Sequence, residues 1–149
     1  MILRASYLLM LGLFSAHSLF DCLCTVSTLF LYTSQSVWWG AETLALFYPR
    51  LLLFTDDGQS LSITKAYDPL LARTFIYYVA CMSLVRVVAV CMPGPGTCAC
   101  VAVMYAMQAL AAEYEGFSAK TSPPHACRVI CYLCTVMSIC SALLAFGLA

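Results

Sequence analysis

Apolar residues run together in long windows along this chain, and the charges and turn residues collect between them. Crossing the hydrocarbon of a bilayer takes about 20 mainly apolar residues as a helix, which satisfies every backbone donor and acceptor within the segment. Residues 5–20 carry no charge, with Arg4 before them and Asp21 after, and the run can lengthen toward Tyr32 where Asp21 is tolerated; a first span is placed at about 5–22. A second falls at 74–92, with Arg73 at its entrance and Arg86 inside it. It stops at Pro93-Gly94-Pro95-Gly96, read as a tight turn because prolines and glycines so dense cannot continue a helix. A third span at 97–113 returns antiparallel and ends in Glu113 and Glu115. Charges, Gly116 and Pro123-Pro124 mark 113–128 as a surface loop, and a fourth span occupies about 128–148. The pattern predicts an all-α integral membrane protein, a four-transmembrane-helix bundle with a tight hairpin between helices two and three.

The stretch 33–71 fits no span. Trp38-Trp39, Tyr48, Arg50, the Leu51 to Phe54 patch, Asp56-Asp57-Gly58 and Asp68-Pro69 mix aromatic, apolar and turn residues. Paired tryptophans favour the membrane interface. An interfacial amphipathic helix over 41–54 is expected, followed by a turn at Asp57-Gly58, with a re-entrant segment as the alternative. Arg4, the apolar run and Ala16-His17-Ser18 also resemble a signal peptide, but apolar character resumes directly after Asp21. Arg50, Lys65, Arg73, Lys120 and Arg128 fall on one side against Arg4 on the other, which points the connections after spans one and three to the cytosol.

Composition agrees. Of 149 residues, enough for about one domain, 63% are hydrophobic and 9% charged, where soluble domains carry about 25% charged. Mean hydropathy is +0.91 over the whole length. Seven basic and seven acidic residues leave no net charge, so no basic field exists to attract nucleic acid. The ten cysteines lie mostly inside apolar runs and read as small packing residues.

Candidate chemistry is sparse. Cys131 and Cys134 form a CxxC within the fourth span, where packing outweighs redox or zinc chemistry, and recruiting His125 and Cys127 as further ligands needs all four on one face. His17 reads as a proton carrier or, more simply, as a polar residue bonded to a neighbouring helix. Glu113 and Glu115 are two apart and point to different helix faces. No nucleophile, phosphate loop or metal constellation stands out, so no catalytic residue, metal or cofactor is assigned. Helix arithmetic places Arg73 and the two acids at matching heights, about 25–30 Å from the turn, as partners near the membrane surface. Arg86, about 10 Å from the turn, must snorkel or meet polar groups of another helix or a bound partner.

Leu71-Ala72-Arg73-Thr74-Phe75, followed by Tyr78, Ser83 and Arg86, resembles the family of ergosterol biosynthetic protein twenty-eight. In that family the second span opens with Ala-Arg-Thr-Phe, continues with an aromatic three residues after the Phe, and carries an Arg thirteen residues after the first. Without a gap, the family's Ala-Leu-Gly falls on Ala109-Leu110-Ala111 and its next acidic residue one position from Glu115. Leu3-Arg4 with Tyr7 looks like the family's N-terminal start. The chain departs from the pattern at Ala112, where the family has His, at Ile76, where it has Gly, at Tyr78, where it has Trp, and in a longer connection between spans one and two. The likeness covers about 73–148 and the faint start.

The resemblance implies a non-enzymatic, multi-pass scaffold of the endoplasmic-reticulum membrane. Such a protein holds the sterol C-4 demethylation enzymes together: the methyl oxidase, the decarboxylating dehydrogenase and the keto reductase. It also singles out Arg73, Thr74, Phe75, Tyr78, Arg86, Glu113 and Glu115 as partner-binding or structural residues. Two other classes share the composition. One is a small structural subunit of an energy-transducing membrane complex; the other is a lipid-directed enzyme or transporter with a cavity lined by His17 or Arg86.

Overall fold

The computed structural model describes residues 2–34, 47, 69–120 and 122–147, and among these the chain is helical with no strand. Four long helices follow in order: α1, Ile2–Ser34; α2, Pro69–Cys91; α3, Pro95–Glu113; and α4, Pro124–Gly147. Three stretches are long and apolar enough to cross a membrane, Ala5–Phe30, Pro95–Ser118 and Pro124–Gly147, and α2 holds a shorter apolar stretch, Ile76–Cys91. The expected interfacial helix over 41–54 lies outside the described residues except for Phe47, which is helical and meets Phe20 of α1 edge to face at 5.0 Å.

The helices overrun the expected boundaries, and each overrun has a local cause. Asp21 does not end α1, because it is paired inside the fold, and the helix continues to Ser34. Hydroxyls within α1 donate back to the preceding turn, Ser15 to the Leu11 carbonyl at 2.8 Å, Thr25 to Asp21 at 2.7 Å and Thr28 to Cys24 at 2.7 Å, so they interrupt nothing. α2 starts at Pro69, five residues before the expected span. Of the four turn residues only Pro93 and Gly94 stay outside helices; Pro95 opens α3 as its first residue, where a missing N–H costs nothing. The Thr97 hydroxyl then closes the turn by reaching the Met92 carbonyl at 2.9 Å and that of Gly94 at 3.0 Å.

The expected loop over 113–128 is mostly helical. α3 passes into a π-helical turn, Tyr114–Ser118, and stops where Lys120 takes the left-handed conformation at φ 57°, which ends helical hydrogen bonding. α4 begins at Pro124, four residues early, with the Cys127 amide on the Pro123 carbonyl at 3.0 Å. Gly116 makes this short return feasible. A Cβ on it would sit 2.5 Å from Cys127 Cβ, so the two backbones come together only without a side chain.

Neighbours along α1 and α2 run in opposite senses. Ser18 meets Ser83, Cys24 packs with Ile76 and Val79, and Met10 and Phe14 share a core with Ala89. α3 and α4 pack along their lengths as a second pair. Near the Pro93-Gly94 turn all four helices contribute to one core, in which Met10, Phe14, Ala89, Val101, Tyr105 and Leu144 are buried. Farther from the turn, Cys24, Ile76 and Val79 form a separate cluster belonging to α1 and α2, with Phe20 against it.

Gly116→Val should destabilise the purified protein by about 1–3 kcal/mol through forced overlap with Cys127. Adding Cys127→Gly should recover part of that loss in a thermal-unfolding assay. Valine tolerated alone, with an unchanged midpoint, would show that the α3–α4 return is not set by this contact.

Candidate functional site

α1 and α2 each carry one charge within the apolar stretch that packs against the other, and the two charges meet. Arg86 Nη2 donates to the Asp21 carboxylate, with side-chain exposures of 1% and 2%. Charges so far from solvent persist only as a pair, since removing one partner leaves the other uncompensated in a low-dielectric interior. Around the pair, Ser18 donates to the Ser83 carbonyl at 3.4 Å and Ser83 to the Ser18 carbonyl at 3.2 Å. Arg86 Nε donates to Ser18 Oγ at 3.4 Å. Nη1 is buried without a hydrogen-bond partner, and the guanidinium carbon lies 5.8 Å from the centre of the Tyr105 ring, in cation–π range.

Tyr105 brings α3 into this cluster. Its hydroxyl is 2.9 Å from His17 Nδ1, its ring stacks on the imidazole at 6.0 Å, and Phe14 lies 6.5 Å away on the same side of the core. The tautomer that serves both neighbours of His17 carries its proton on Nε2: Tyr105 then donates to Nδ1, and the Nε2–H faces Asp21 Oδ1 at 3.8 Å. That last separation exceeds a hydrogen bond and acts as an electrostatic contact. His17 therefore has a partner on a neighbouring helix, as the simpler of its two readings expects.

Of the other residues singled out in the sequence, Thr74 and Glu113 stand apart from this centre. Arg86 meets polar groups of another helix, one of the solutions its depth requires, and does so inside its own chain. Thr74 and Glu113 are exposed, Tyr78 is 41% exposed and reaches Gln108 of α3, and Glu115 is half-buried in the π-helical turn. The side chains of Arg73 and Phe75, and with them the expected pairing of Arg73 with Glu113 or Glu115, lie outside the described residues. Cys134 is buried and donates weakly to Gln108 Oε1 at 3.7 Å, while Cys131 is half-buried and His125 exposed. Among the described residues no three His, Cys, Asp or Glu side chains converge as a metal site.

The sequence pattern does not mark Ser18 and Tyr105 as members of a site, and Ser83 enters it only as a motif residue of the family resemblance. Asp21 and Arg86 offer a usable signal: one acid and one base, each alone in an otherwise apolar stretch. Tyr105 gives none, since nothing distinguishes it in sequence from the chain's other tyrosines. No family model, curated protein or solved structure matches the chain. The likeness to the sterol-scaffold family therefore rests on its motif residues.

Arg86→Leu alone should cost about 3–5 kcal/mol by stranding Asp21, whereas Asp21→Leu with Arg86→Leu should restore most of the stability. Thermal unfolding in detergent reads both, and a double variant no better than the single would refute the pairing energetics. Tyr105→Phe keeps the ring and loses the hydroxyl bond to His17, for an expected loss of about 1 kcal/mol in the same assay.

Proposed function

We propose that this chain is a non-catalytic, four-span scaffold of the endoplasmic-reticulum membrane that holds the sterol C-4 demethylation enzymes together. The observation that carries the reading is where its polar groups go. Arg86, the residue of the motif that lies deep in the bundle, is consumed with Asp21, Ser18 and Tyr105 in tying helices to one another. Thr74, Tyr78 and Glu113 are exposed at the other end, where a partner can reach them.

Helix geometry supports the four-span arrangement. α2 has 23 residues, about 35 Å at 1.5 Å per residue, enough for a hydrocarbon layer of about 30 Å. Tyr77 and Tyr78 of α2, Tyr114 after α3 and Tyr132 of α4 are exposed at similar heights, about 20–30 Å from the turn. Tyrosines arranged this way suit a headgroup boundary. Large apolar side chains, among them Leu8, Leu84, Val103 and Leu143, face outward between that level and the turn. In lipid these surfaces are satisfied; in water they would be an aggregation hazard.

A scaffold needs no chemistry of its own. Tethering enzymes that pass an apolar intermediate raises the effective concentration of each for the next. The test is capture of the full chain in mild detergent from cells that make sterols. The methyl oxidase, decarboxylating dehydrogenase and keto reductase should co-purify, and deletion should cause 4-methylated intermediates to accumulate. An unchanged sterol profile overturns the proposal, and capture of respiratory subunits instead replaces it with a structural subunit of an energy-transducing complex.

A further inference from the structure

His17 differs from the rest of the buried centre in being open to its surroundings. Its side chain is 38% exposed, whereas those of Asp21 and Arg86 are at 2% and 1%, and Tyr105 is at 1%. It is also the member whose side-chain type changes charge between about pH 5 and pH 8. Three helices present titratable or charged groups to its ring. α1 contributes Asp21, whose Oδ1 is 3.8 Å from Nε2 while its Oδ2 takes Arg86. α2 contributes Arg86, within electrostatic reach of the imidazole. α3 contributes Tyr105, whose hydroxyl is 2.9 Å from Nδ1, and α4 sets Cys134 within electrostatic reach of that tyrosine.

The neutral ring suits this setting, accepting from Tyr105 on Nδ1 and turning an N–H toward Asp21. The opposite tautomer would face a bare nitrogen to the carboxylate. A proton added to the ring changes two things together. Nδ1 becomes a donor, so Tyr105 loses the acceptor for its own O–H, and Arg86, on the other side of the tyrosine, carries donors only. The centre also passes from one carboxylate against one guanidinium to a net positive charge away from bulk water, with Asp21 shared between two cations. The imidazolium relieves both by swinging outward through its exposed edge, and that movement breaks the contact with Tyr105. The contact lies at a boundary in the packing. Met10 and Phe14 are the buried members that α1 gives to the four-helix core, and the separate α1–α2 cluster begins at Phe20 and Cys24, with His17 between them. Beyond His17, the α1–α2 pair reaches α3 through Tyr78 of α2 on Gln108, at an exposed side chain.

We propose that the contact between His17 and Tyr105 is a proton-sensitive latch: it ties α1 to α3 while the imidazole is neutral and releases when His17 takes up a proton, freeing the halves of these helices that lie away from the turn to move apart. The latch follows from side-chain geometry within the chain and does not rest on the scaffold reading. It makes the spacing of helices at the exposed end of the bundle respond to pH.

The test uses the full chain in phosphatidylcholine nanodiscs with isotope-labelled histidine and His125→Gln, an exposed position, which leaves His17 as the reporting imidazole. Nitrogen spectra should show the Nε2–H tautomer at about pH 8 and the imidazolium by about pH 5. Spin labels carried on non-canonical side chains at exposed Leu23 of α1 and Leu110 of α3 read the distance between the two helices. That distance should lengthen by about 2 Å or more on acidification, with the same midpoint as the protonation of His17. His17→Asn keeps an amide oxygen for Tyr105 and does not titrate, so it should hold the short distance across the range. Tyr105→Phe should show a longer distance already at about pH 8 and a smaller step. In the chain with native His17 and Tyr105, the opposite neutral tautomer, a ring still neutral at about pH 5, or protonation without a change in distance overturns the latch. A full-sized step in His17→Asn overturns it as well, as does a Tyr105→Phe chain that matches the parent at both ends of the range.

Discussion

The ion pair between Asp21 and Arg86 sets the register of α1 against α2, and the remaining architecture is built around that register. Neither Ala5–Phe30 nor Ile76–Cys91 contains another charge. Sliding one helix past the other by a turn, about 5.4 Å, would leave both charges buried and unpaired, a cost several times what the slip takes from the apolar packing at any one position. The apolar surfaces of the two helices are too uniform to specify one alignment through packing alone. The pair adds little net stability over a hydrophobic substitute, because desolvation offsets most of its attraction, but it penalises every other alignment heavily. The reciprocal hydroxyl bonds of Ser18 and Ser83 repeat the same alignment one turn away from Asp21.

Tyr105 carries that register across to the second pair of helices. Its ring faces Arg86, its hydroxyl holds His17, and the tilted Phe14 ring lies 6.5 Å from its own, so α3 is positioned by contacts to α1 and α2 together. α4 follows from α3 through the short return at Gly116 and through Ser138, which donates to the Ala102 carbonyl at 2.8 Å. The four-helix core is consequently found on the turn half of the bundle. On the other half α1 and α2 keep a cluster of their own.

The helical class was legible because long uncharged windows admit little else, and the Pro93-Gly94 break was legible because proline and glycine act on the backbone locally. Boundaries were less so. Asp21 reads as the end of a span when judged by residue type, since a lone carboxylate in an apolar helix is expensive; its partner 65 positions later removes that cost, and no local pattern announces it. The return over 113–128 reads as a loop for a similar reason. Gly116 and the two prolines suggest irregular backbone, whereas the glycine lets a helix end approach its neighbour and the prolines start the next helix. Of the centre itself, Arg86 and His17 were legible as polar groups in need of partners. Which partners they take depends on helix rotation, and a nearly uniform apolar sequence says little about rotation.

The interior and the exposed end place different demands on the chain, and the distribution of side chains separates them. A group engaged in holding helices in register cannot also release to bind a partner without loosening the bundle, so Asp21, Arg86 and Tyr105 are poor candidates for recognition even though they are the least typical residues in lipid. Exposed Thr74 and Glu113 stand outside this network, and Tyr78, exposed as well, reaches Gln108 of α3 at its edge. On the scaffold reading this separation has a mechanical use. Effective concentration between tethered enzymes depends on how narrowly their anchor points are confined. A bundle locked near its middle by a buried ion pair confines whatever binds its rim more tightly than one held only by interchangeable apolar contacts.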